Sequence, residues 1–194
     1  MLDNQNTQLP APRVPVVGKN DQLMERSWYR FFTNFYNYFL GLPYGSFYNT
    51  GVHTATANTP TAVTFDTSAD TRHTYIGTPT SRIVFDADGL TTVTFSIQFS
   101  NSSATEDDVY VWLRKNGVDV PYTASTITVP KKHGSVDGAA IMTVNFHADY
   151  GPNDYLELYW LTVNGTTSMT TIPATTSPDK PASPSVVLTV SQII

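Results

Sequence analysis

The chain has 194 residues, a net charge of −5, 40% hydrophobic and 14% charged residues, and no cysteine. That is enough for one domain with its own core plus an appendage, and too apolar for disorder throughout. Disulfides, thiolate zinc sites and cysteine nucleophiles are excluded, and without a run of lysines or arginines no nucleic-acid partner is expected.

Residues 1–20 are polar, with Pro10, Pro12 and Pro15 in quick succession. Proline fixes its own φ and pushes the preceding residue to extended geometry. An extended arm is therefore expected, one that builds no core of its own and lies against a partner. Its opening, MLDNQNTQLPAPRVP, lacks the positive-plus-apolar pattern of a signal peptide. No segment approaches the roughly 20 apolar residues of a spanning helix. A soluble chain made in a cytoplasm, with no membrane insertion, is the expectation.

In SWYRFFTNFYNYF, residues 27–39, eight of thirteen side chains are aromatic. A helix is predicted over 21–42. Asp21 can cap it near Gln22, Glu25 suits its dipole, and Gly41 and Pro43 stop it. Trp28, Phe31, Phe32, Phe35 and Phe39 follow the spacing of one helical face, and Tyr29, Tyr36 and Tyr38 widen the stripe. Arg26, Arg30, Asn34 and Asn37 hold the other side. Each large ring gains on the order of 1.5–3 kcal/mol on burial, so this face is too apolar to leave in water. It can pack on its own domain or on another molecule. Its place between an arm and a separate strand domain favours the second, and the scarcity of bordering lysines disfavours a membrane surface.

A Thr/Asn/Gly-rich linker is expected over 43–61, followed by a strand domain over 62–194. Short alternating runs recur there: AVTFD (62–66), SRIVFD (81–86), TTVTFSIQF (91–99), DVYVWLRK (108–115), STITV (125–129), AIMTVNFHA (140–148), DYLELYWLTV (154–163) and SVVLTVSQ (185–192). In the third run Val93, Phe95, Ile97 and Phe99 point one way while Thr94, Ser96 and Gln98 point the other, as in a half-buried antiparallel strand. Turn signals fall between the runs at Asp88-Gly89, Asn116-Gly117, Gly151-Pro152 and Asn164-Gly165. Eight to ten such strands, with no helical segment among them, predict an all-β antiparallel sandwich or jelly roll.

Motifs for catalysis are scarce. The histidines are His53, His73, His133 and His147, with no HExxH or HxH. His147 alternates with Phe146, as a strand or interface histidine would. Asp66, Asp86 and Asp88 lie near strand ends, and Glu106-Asp107-Asp108 is the densest acidic group. A carboxylate pair could serve a glycosidase, or oxygen ligands calcium. Cap and turn chemistry is the simpler reading, and the DADG stretch lacks the glutamate that would complete a calcium loop. No G-x-S-x-G elbow or phosphate loop occurs. A non-enzyme without cofactor or metal is expected. Lys131-Lys132-His133 reads as a solvated loop. Trp112, Tyr122, Tyr150, Tyr155 and Trp160 could stack on sugar rings or pack in the core.

SRIVFDADGLTTVTFSIQFS, VYVWLRKNGVDVP, GPNDYLELYW and SVVLTVSQII resemble the strand and turn units of C1q/TNF-like jelly rolls, over roughly residues 60–194. PRVPVV followed by SWYRFF resembles the opening of small structural proteins of tailed bacteriophages, in which a short anchor precedes a jelly-roll head. The resemblance implies a homotrimeric virion appendage, a short tail, neck or head fibre or a capsid decoration, assembled in the bacterial cytoplasm. Its partners would be other virion proteins and, at the knob, a host surface glycan. Trp28, Tyr29, Phe31, Phe32, Phe35 and Phe39 would anchor it. Tyr110, Trp112 and Tyr159 are candidates for the trimer interface, because their strands read as apolar on both sides. Tyr122 and Tyr150 are candidates for receptor or glycan contact. A free carbohydrate-binding module and a sandwich-fold hydrolase are the other readings; neither accounts for the arm and the aromatic helix.

Overall fold

The structure is a computed structural model that describes residues 9–10, 14–18, 23–40 and 42–193, with the side chains of 37–40 left aside. Among the described residues there is one helix, α1 (Arg26–Leu40). The strands follow in chain order: β1 (Tyr44–Asn49), β2 (His53–Thr54), β3 (Thr61–Ala62), β4 (Thr67–Arg72), β5 (Thr74–Ile76) and β6 (Ile83–Phe85). Next come β7 (Gly89–Asn101), β8 (Asp107–Lys115), β9 (Val118–Asp119), β10 (Ser125–Val129), β11 (Gly138–Tyr150) and β12 (Tyr155–Thr162). The last are β13 (Thr167–Met169), β14 (Thr175–Thr176), β15 (Asp179–Lys180) and β16 (Val186–Gln192).

They form two large antiparallel sheets and a separate two-stranded ribbon, β14-β15. The first runs β2-β13-β7-β16-β1-β4, with β11 on the far side of β7; the second runs β10-β8-β12-β6-β5, with β3 on β12 and β9 on β8. The all-β sandwich expected from the alternating runs is the observed architecture. Alternation explains it directly. Val93, Phe95, Ile97 and Phe99 of β7 are all buried, and so are Val109, Val111 and Leu113 of β8 and Leu156, Leu158 and Trp160 of β12. The two inward rows interlock into one core. Asn116 (φ 52°) and Gly117 (φ 79°) both take the left-handed region, which is what a two-residue hairpin between β8 and β9 needs.

Three expectations change. Residues 44–49 are not linker: β1 pairs with β16 over its whole length and with β4 on its other side. Its inward residues are Gly45, Phe47 and Asn49, and a Cβ at Gly45 would stand 2.5 Å from Thr74 Oγ1 and 2.7 Å from the Phe47 ring. Glycine is there for close approach, and its low strand propensity hid the strand. AVTFD supplies only Ala62 to the two-residue β3, yet Val63 and Phe65 are buried, held by Val63 N–H to Leu158 O (2.8 Å) and Phe65 N–H to Thr80 O (3.0 Å). The arm is not extended over residues 14–18. It turns back, with Gly18 N–H donating to Leu23 O at 2.7 Å and Glu25 N–H to Val16 O at 3.0 Å. The described helix starts at Arg26; the expected cap Asp21 lies outside the described residues.

Candidate functional site

Two aromatic surfaces stand apart from the core. The first is on α1. The Trp28 indole N–H donates to Val14 O at 3.0 Å, so the folded-back arm fixes the start of the helix. Trp28 packs on Phe31 and Phe32 (centroids 6.0 and 5.8 Å), and Phe31 on Phe35 (6.0 Å). The rings therefore shield one another only in part. Tyr29 is 62% exposed, Phe32 45%, Phe35 49% and Tyr36 64%. Among the described residues no strand shares an extended contact with this helix. The side chain of Phe39 lies outside the described residues.

The second surface is the outward face of the second sheet. Tyr110 and Trp112 on β8 and Tyr159 and Leu161 on β12 lie side by side, since Tyr159 pairs with Trp112 and Leu161 with Tyr110. The Trp112 and Tyr159 rings are 6.0 Å apart, and the Arg114 guanidinium sits 4.3 Å over Tyr159. Trp112 Nε1–H donates to Asp119 Oδ1 at 2.7 Å, and Arg114 pairs with the same oxygen at 2.7 Å. Beyond them the 120–123 turn closes a groove of about 380 Å³ lined by Tyr110, Trp112, Pro121 and Tyr122. The turn is pinned to β8: Val120 N–H donates to Leu113 O (2.9 Å), Leu113 N–H to Thr123 Oγ1 (3.1 Å) and Thr123 Oγ1–H to Val120 O (2.8 Å). Tyr122 is held at φ 64° with its ring fully exposed. The trimer-interface candidates and the ligand candidate Tyr122 thus share one face.

No protein-family model matches the sequence, and no curated protein does. Among solved structures, the Eiger TNF from S. frugiperda is similar, with a TM-score of 0.52 at 11% identity, covering 79% of this chain and 94% of that one. The fold is a TNF-like jelly roll. At this identity the likeness is one of fold alone.

The core corrects one ligand candidate, Tyr150, and gives Trp160 the packing role of its two readings. Tyr150 is 1% exposed and stacks on Phe85 at 4.2 Å and 6°, so its ring cannot meet a ligand. Burial also pushes its hydroxyl well above the usual tyrosine range. Trp160 is fully buried beside Phe99 at 6.2 Å. Tyr155 lies under the Arg82 guanidinium at 4.3 Å, on the outer face but away from the groove.

The polar candidates hold loops. Asp66 accepts from Thr50 N–H (2.9 Å), Thr50 Oγ1–H (2.7 Å) and Thr67 Oγ1–H (2.8 Å). Asp86 pairs with His73 at 2.7 Å, and Asp108 accepts from Thr128 at 2.6 Å. His147 is exposed, with Nδ1 3.3 Å from Thr92 Oγ1, and the Lys131–His133 loop is exposed. Among the described residues no cluster of three or more His, Asp or Glu could hold a metal ion, and no helix is long and apolar enough to cross a membrane.

His53 is the polar residue whose burial carries a consequence. Its Nε2 lies 3.1 Å from both Thr64 O and Thr64 Oγ1, while Nδ1 is buried with no partner among the described residues. Burial lowers its proton affinity and outweighs the Thr64 carbonyl and Asp66, which raise it. The unfolded chain takes up a proton near pH 6.5, and the fold resists it. The stability from neutral His53 is therefore complete above about pH 6.5 and declines below it. His53→Gln should flatten the fall in urea midpoint between neutral pH and about pH 5; an unchanged slope would assign that fall to other groups.

Proposed function

We propose that this chain is a non-enzymatic structural subunit of a tailed-phage virion. The folded-back arm and α1 dock on the particle, at tail, neck or capsid, and the jelly roll projects as a trimeric knob. The observation that carries the reading is the exposed aromatic face of α1: Tyr29, Phe32 and Tyr36 fall on one stripe, each between 45% and 64% open to water, and the sandwich does not cover them. Water-facing surface of this kind marks an interaction site. The likeness of PRVPVV and SWYRFF to phage anchor segments supports the choice of partner, and homotrimers are common among TNF-like folds. In a trimer three such faces act together, because the second and third dock at high effective concentration. A free sugar-binding module would leave this face without a use.

The test is a Phe32→Asp/Tyr36→Asp variant produced during particle assembly. Occupancy on purified particles should fall on the order of ten-fold or more, since each ring loses its burial in all three subunits. Light scattering of the same variant should still give a trimer if the knob trimerises by itself. Normal occupancy of the variant would defeat the anchoring role.

A further inference from the structure

The groove beside Tyr122 has the build of a ligand site. Its volume of about 380 Å³ lies within the range of small-molecule pockets. Its walls are rigid, because the 120–123 turn is hydrogen-bonded into β8 on both sides. Tyr122 is held at φ 64° with its ring entirely in solvent. A bulky residue in the left-handed region is strained, and such strain collects at binding sites. An aromatic side chain presented this way packs on nothing among the described residues.

The chemistry of the walls narrows the ligand. Tyr110, Trp112 and Tyr122 offer ring faces and edges. Arg114 and Asp119 sit on the rim but neutralise each other at 2.7 Å, so the groove selects for neither anion nor cation. Both Asp119 partners use Oδ1, and this side chain is 61% exposed, so Oδ2 can accept a hydroxyl. A flat, neutral ligand with one apolar face and a fringe of hydroxyls fits these terms. A protein partner would need about 800 Å² on each side, yet the neighbouring surface is polar, with Asp108, Thr126 and Thr128 exposed beside Tyr110.

We propose that this groove binds a neutral pyranose of a surface glycan, with the sugar's C–H face on Trp112 and Tyr122 and a hydroxyl on Asp119. The proposal deepens the knob reading and rests on it, since the face must point away from the particle. The experiment uses the full chain labelled with 5-fluorotryptophan. Its three tryptophans give separate signals, and Trp112→Phe identifies the one at the groove. Maltose, cellobiose, melibiose and N,N′-diacetylchitobiose are titrated in turn. At least one should shift the Trp112 signal saturably and leave buried Trp160 unmoved. Tyr122→Ala should weaken that binding on the order of ten-fold, about one ring contact, whereas Tyr122→Phe should retain it. Silence of Trp112 towards all four sugars, or equal binding by Tyr122→Ala, would overturn the proposal. So would a Tyr122→Ala protein of altered oligomeric mass, which would make the groove a subunit contact. Particle occupancy of the Phe32/Tyr36 variant reads the anchor separately, so either idea can fail alone.

Discussion

Trp160→Ala should lower the stability of the sandwich by about 3–5 kcal/mol. The ring is fully buried beside Phe99, in the row of Leu156 and Leu158 that faces the other sheet. Close-packed interiors relax little around so large a deletion, so the lost contacts and the cavity add. Trp160→Phe should cost much less. It keeps a ring and removes an indole N–H that is buried with no hydrogen-bond partner among the described residues, and such a donor is itself a penalty of about 1–3 kcal/mol. Urea unfolding should show the midpoint dropping at constant slope. A loss below about 1 kcal/mol for the alanine variant would mean the ring is not packed as described. Neither change should alter sugar binding at Trp112.

The second large effect is at Asp107, which is 1% exposed. Its carboxylate gathers Thr162 Oγ1–H, Asn164 N–H (2.9 Å), Thr166 N–H (3.2 Å), Thr166 Oγ1–H (3.1 Å) and Thr167 N–H (3.1 Å). Thr162 passes the order on, accepting from Gly165 N–H at 3.0 Å, where φ is 71°. One buried side chain thus sets the turn between β12 and β13. Asp107→Ala leaves these donors without an acceptor and should cost about 2–4 kcal/mol. Asp107→Asn should recover only part, because its amide must aim N–H at a donor somewhere. Burial alone would raise this carboxyl, but the donors outweigh it and hold it below the usual carboxylate range. Its folded proton affinity is lowered, so its contribution is whole above about pH 4 and is lost as pH falls further through the folded value. The acid side of the stability curve should therefore have two limbs, one from His53 starting near pH 6.5 and one below about pH 4 to which Asp107 contributes together with Asp66 and Asp154, whose hydrogen bonds hold them low as well. In Asp107→Asn the lower limb should shrink while the upper stays; an unaltered lower limb would refute this.

Much of the sandwich was legible because alternation reports which face is buried. STITV and TTVTFSIQF lie in β10 and β7 as their patterns require. β1 was not legible, since Gly45, Ser46 and Asn49 weaken the strand signal and long-range pairing with β16 supplies what propensity lacks. Tyr150 shows a signal that composition obscures. It shares the parity of Met142, Val144, Phe146 and Ala148 along β11, and that row faces inward. Trp160 likewise shares the parity of Leu156 and Leu158. Tyr110, Trp112 and Tyr159 were legible as an outward row, but their union with Tyr122 depends on how the 120–123 turn folds over β8, which no local pattern encodes. The aromatic stripe of α1 was legible from helical spacing, whereas the return of the arm onto it rests on backbone pairing at Val17 and Met24.

The placement of β1 has a mechanical consequence. The chain passes from α1 straight into a strand flanked by β16 and β4, and Gln192 N–H closes the junction on Pro43 O at 2.9 Å. A pull on the helix while the sandwich is held elsewhere enters at Tyr44, along the strand axis. The ladder bonds lie across that direction, so they must be sheared together and cannot be unzipped singly. Force would be borne by the whole strand.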